Sequence, residues 1–130
     1  MIESIGRTTI LVRDQDEALN FYTQVFGFDV IADMTLENGF RALHVGPRAS
    51  ATGFWLMPAH GEGTQLVGAQ TAGEPLAVLY TGNCQATAIE LYARGAELRV
   101  PVTKTPTSVY AHVADLYGNE FVLVELIAER

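Results

Sequence analysis

The 130 residues suffice for one domain assembled from smaller modules, and a chain of this length buries roughly 65–70% of its unfolded surface. An apolar fraction of 48% against 18% charged residues excludes intrinsic disorder. Eight basic and fifteen acidic side chains give a net charge of −7, which speaks against nucleic acid and an anionic membrane surface as partners.

The chain opens on MIESIGRTT, without an Arg/Lys-rich leader and a long apolar run, so no signal peptide is expected and the protein is assigned to the cytoplasm. Thr8–Val12 is a short β-branched run that predicts a first strand. Asp14 with Glu17 forms a capping-box pattern, and Ala18, Phe21, Tyr22 and Val25 then recur as one stripe of an amphipathic helix. Gly27 is placed to stop that helix. Strand-like pieces follow at Phe28–Met34, Phe40–Val45 and Phe54–Met57, so the first half reads β-α-β-β-β. Pro58–Pro75 is Gly-rich and reads as a linker or lid, with His60 as an exposed loop residue.

Leu76–Tyr80 predicts the next strand and Asn83 the next helix cap. Cys84, Ala88 and Leu91 fall at helical spacing before Gly95. Cys84 is the single cysteine, which excludes an internal disulfide and a Cys-rich zinc site; its position on the stripe predicts an inert core thiol. Strands are expected at Glu97–Val100, Val109–Ala114 and Glu120–Leu126, with Pro101–Ser108 as a second lid-like loop. Asp115 reads as a turn-capping side chain before Leu116 and Tyr117, an apolar pair expected on an exposed turn. The longest apolar runs, such as Phe121–Val124, are too short to cross a bilayer.

The second half therefore repeats the first. Asp14 to Asn83 is 69 residues, while Gly27 to Gly95 and His44 to His112 are each 68. Two copies of one unit, about residues 5–58 and 76–127 with a linker over 59–75, make a single domain over 1–130.

On these residues a resemblance appears. TTILVRDQDEALNFYTQVFGF, NCQATAIELYARGAEL and DLYGNEFVLVE resemble the vicinal-oxygen-chelate superfamily of glyoxalases, bleomycin-resistance proteins and extradiol dioxygenases. The resemblance implies an α+β fold in which tandem β-α-β-β-β modules form a curled mixed β-sheet cup with helices outside. It also implies a homodimer, and a small-molecule ligand or metal held inside the cup.

Metal-dependent members place four His, Glu or Gln ligands on the first and last strands of each module. The matching positions here hold Arg7, Leu76, Trp55 or Met57, and Val122. None offers a hard donor to a divalent ion, so no metal or other cofactor is predicted. His44 and His112 are the catalytic candidates, since alternation turns both imidazoles toward the cup; the other reading is a pair of hydrogen-bonded structural histidines.

Alternation also puts Arg7 and Thr9 on the cup face, where Arg7 meets an anionic ligand group or a carboxylate such as Glu120. Trp55 and Met57 share a face as a wall for a planar ligand, or as plain packing. Tyr80 and Tyr110 have the parity to supply hydroxyl donors, and Leu76 and Val122 complete an apolar lining. The sequence thus predicts a binder of a small, partly aromatic, neutral or cationic molecule. The alternative is a metal-dependent or His-based lyase, isomerase or dioxygenase of the glyoxalase family. A third reading is a structural dimer with its cup filled by its own side chains.

Overall fold

The protein is described by a computed structural model over residues 1–127. It divides into two compact units, Met1–Gly68 and a second from Ala69 onward. Each is a β-α-β-β-β unit built on one four-stranded mixed sheet.

In the first unit the elements are β1 (Arg7–Val12), α1 (Gln15–Gln24), β2 (Asp29–Thr35), β3 (Arg41–Gly46) and β4 (Gly53–Pro58). The sheet order is β1-β4-β3-β2, with β1 and β4 parallel and the other pairs antiparallel. Helix α1 begins where the Asp14 carboxylate accepts the backbone N–H of Glu17, satisfying an otherwise unpaired donor of the first turn. Its Tyr22 stacks on Phe28, which stacks on Phe54 of β4. Ile10, Val12, Leu43, Val45 and Leu56 are fully buried on that side of the sheet. Strict alternation then turns Arg7, Thr9, His44, Trp55 and Met57 to the opposite side. The helical stripe is narrower than its spacing suggests, since Phe21 and Val25 are half-buried and only Ala18 and Tyr22 are buried.

The second unit contains β5 (Ala77–Tyr80), α2 (Cys84–Ala93), β6 (Glu97–Lys104), β7 (Ser108–Ala114) and β8 (Glu120–Leu126), in sheet order β5-β8-β7-β6. The Asn83 side chain caps α2 through the N–H of Ala86, and Glu125 of β8 accepts the N–H of Cys84. Cys84, Ala88 and Leu91 are buried, and the Cys84 Sγ lies 3.7 Å from the Leu123 carbonyl oxygen. Burial first, and then the Glu125 charge, push the Cys84 thiol pKa up, so it is a core thiol rather than a nucleophile. Asp115 caps its turn as expected, accepting N–H groups from Tyr117 and Asn119.

Three expectations are corrected. Helix α1 stops at Gln24, and Gly27, with φ of 73°, follows only after a wider closure in which the Phe28 N–H donates to the Tyr22 carbonyl. Gly95, with φ of 112°, by contrast lies directly after the Arg94 cap, where the N–H groups of Gly95 and Ala96 reach back to Tyr92 and Leu91. Pro101 does not open a lid: β6 runs through it to Lys104. It is tolerated because β6 is an edge strand whose register shifts between Val100 and Thr103. In the first linker, Gly61–Leu66 winds into a short 3-10 turn that begins after the exposed His60. Leu116 and Tyr117 are half-buried rather than exposed.

Candidate functional site

The side of the first sheet away from α1 gathers chemistry around Trp55. Register places Thr9, Trp55 and His44 side by side across β1, β4 and β3, and Ala32 of β2 extends the row. The His44 and Trp55 rings are 5.7 Å apart, and Phe40 meets Trp55 edge-on at 6.3 Å. Phe40 has the same strand parity as His44, so alternation alone would have found it.

Beside this row glycine admits the Ile31 side chain and a close backbone approach. Arg7 pairs with Gly53 in register, and a Cβ on Gly53 would sit 2.7 Å from the Val45 carbonyl oxygen. The β2 register shifts between Val30 and Ala32, and the Ile31 Cδ1 would lie 2.5 Å from that same Cβ and 2.9 Å from one on Gly46.

Arg7 is half-buried and meets no carboxylate among the described residues. Its Nε donates to His44 Nδ1 at 3.1 Å, and its Nη1 donates to the Gly6 carbonyl at 2.7 Å. This replaces the expected pairing with Glu120, whose carboxylate is engaged by His112 and by Arg99 at 3.7 Å. Because His44 accepts at Nδ1, its proton resides on Nε2 and the ring is neutral. Burial first, and then the Arg7 charge, hold the His44 pKa below its ordinary value of 6.5. The Trp55 Nε1 is buried and has no hydrogen-bond partner, alone among the buried side-chain polar atoms of the described residues. The row therefore carries a guanidinium, an imidazole N–H and a buried, unpaired indole N–H within an aromatic frame.

The corresponding face of the second unit differs. Val78, Val122 and His112 lie side by side across β5, β8 and β7, and Tyr80, Val124 and Tyr110 form the next row. Tyr80 is exposed, while Leu76, Tyr110, His112 and Val122 are half-buried. His112 Nδ1 hydrogen-bonds Glu120, and the Tyr110 ring is 5.9 Å from the imidazole. Glu120 was not foreseen in this role, although it has the parity of Val122. Register makes Trp55 the counterpart of Val122, each lying opposite the equivalent histidine, so Met57 is one position pair away from that slot.

The positions that the sequence resemblance assigns to metal ligands thus carry guanidinium, indole and aliphatic groups, a donor set that does not fit a hard divalent ion. Among the described residues no group of three or more His, Cys, Asp or Glu side chains is placed to hold one. No helix among them is long and apolar enough to cross a membrane.

A family model described as the Glyoxalase/Bleomycin resistance protein/Dioxygenase superfamily matches residues 4–123. The crystal structure of UcmS2 is similar with a TM-score of 0.83 and 31% identity, covering 95% of this chain and 98% of that one. TnmS3, described as an antibiotic binding protein from Streptomyces sp. CB03234, aligns with a TM-score of 0.79 and 26% identity over 97% and 98% of the two chains. The uncharacterized protein YetH of Bacillus subtilis (strain 168) is 34% identical over 58 residues. That match takes in 45% of this chain and 48% of YetH, so the chain spans about half of that relative's length.

Proposed function

Since the chain belongs to the glyoxalase/bleomycin resistance protein/dioxygenase superfamily, we propose that it binds a small, partly aromatic molecule without a metal and without catalysing a reaction on it. The observation that carries this reading is the face around Trp55, where the Phe40 and His44 rings lie against an indole whose buried N–H has no acceptor among the described residues. A buried donor left unpaired costs about 1–3 kcal/mol, and a ligand acceptor would recover that cost. The likeness to TnmS3 supports the same class of activity.

The ligand positions proposed are Arg7, Thr9, His44, Trp55 and Met57 on the first unit. On the second they are Leu76, Tyr80, Tyr110, His112 and Val122. Exposed apolar side chains such as Met34 and Leu36 support a homodimer. The cytoplasm is the proposed compartment.

A thermal-shift screen of small aromatic compounds, antibiotics included, tests the proposal. A member present at about 100 times its Kd should stabilise the fold by about 2.7 kcal/mol, and metal analysis of protein purified without chelator should find no stoichiometric ion. Absence of stabilisation by every aromatic compound, or one bound transition metal per chain, would overturn it.

A further inference from the structure

The overall acidity of the chain suggests a neutral or cationic ligand, but the local chemistry of the first unit points to a different recognition group. Arg41, Arg48, Arg94 and Arg99 each lie against a carboxylate. Arg7 meets no carboxylate among the described residues: its guanidinium is fixed by the His44 ring and the Gly6 carbonyl, so its positive charge is positioned there without an ion-pair partner among them. Next to it, His44 is locked in the tautomer that donates from Nε2, because Nδ1 is occupied by the Arg7 Nε–H. Beyond His44 in register is Trp55, whose indole is a donor with no acceptor. Arg7 and Trp55 thus lie on either side of His44 as two donors, one of them cationic, and such a pair matches an oxygen that only accepts.

We infer that the first unit recognises a planar aromatic ligand through an accepting oxygen at its edge, an ionised carboxyl or phenol, set between the Arg7 guanidinium and the Trp55 indole N–H. This rests on the binding reading above and adds the chemical class of the group bound. The aromatic ring lies against Trp55 and Phe40, and the oxygen takes the hydrogen bonds that the protein leaves unmade. A ligand ammonium at the same place would face a guanidinium and the indole N–H donor, and is rejected.

The test uses the full-length protein and three probes of one shape: 2-naphthoate, 2-naphthalenemethanol and 2-naphthylmethylammonium. Trp55 is the sole tryptophan, so its indole N–H gives one resolved signal in a ¹⁵N-labelled sample. The expected result is that 2-naphthoate binds at least about tenfold more tightly than the ammonium probe and moves the indole proton downfield, as a charge-assisted hydrogen bond does. Arg7→Gln should bring the ratio of the two affinities toward one. Equal or tighter binding of the ammonium probe overturns the inference, as does an indole signal that 2-naphthoate leaves in place because a water already satisfies that donor. Either outcome with the alcohol still bound leaves the binding reading standing, whereas no binding of any probe removes both. The indole signal is read on the unmodified protein, so the conclusion does not depend on how the Arg7→Gln variant folds.

Discussion

His44 and His112 hold the same place in their copies of the unit, yet one accepts from a guanidinium and the other pairs with a carboxylate. The consequence for His44 is a pH dependence of known sign. Its folded pKa lies below 6.5, through burial and then through Arg7, so the folded state binds fewer protons there than the unfolded chain. The stability it contributes is fully present above 6.5 and is lost as pH falls through the depressed value. Urea midpoints taken from about pH 7.5 to about pH 5 should therefore fall more steeply for the native chain than for His44→Gln; equal slopes would contradict the assignment. Strand parity in the sequence was enough to place Arg7, His44, Trp55 and their counterparts on one side of each sheet. The partners of those side chains were not legible. That Arg7 turns to His44 depends on side-chain torsions, which leave no periodic signal.

At the scale of elements, local chemistry carried most of the boundaries. Asp14 and Asn83 each accept a backbone N–H three residues on, so Asp14→Ala and Asn83→Ala should each cost about 1 kcal/mol in a denaturant titration. A null effect at both would mean that the helices are held by packing alone. The starts and turns were readable because a cap needs one side chain at one position. The misread segments follow from tertiary context. Pro101 is a strand breaker in isolation and becomes acceptable only on an edge strand at a register shift, a fact about neighbours rather than about proline. The unequal helix stops have a similar cause. The glycine lies 13 positions after the cap in the first unit and 12 in the second, and the extra residue is taken up by the wider closure onto Tyr22. The same single residue explains why the caps repeat at 69 while the glycines and histidines repeat at 68.

Across the whole molecule the net charge is −7, whereas the close-range groups beside Trp55 are donors. The long-range field repels an anionic ligand, while the short contacts at Arg7 and Trp55 attract it, and salt screens the first far more than the second. Association of 2-naphthoate should accordingly quicken as ionic strength is raised from about 0.02 M to about 0.15 M, measured by stopped-flow quenching of Trp55; a slower rate would mean that a local cationic field governs the encounter. The duplicated unit has one more consequence. When an unfused subunit assembles with its twin, every amino-acid replacement is made twice, and a gain on one surface brings the same change to the other. Here Arg7 has Leu76 as its counterpart, and Trp55 has Val122, so one β-α-β-β-β framework carries two surfaces of different chemistry. With both units in one chain, a replacement on either surface is made without the same replacement on the other.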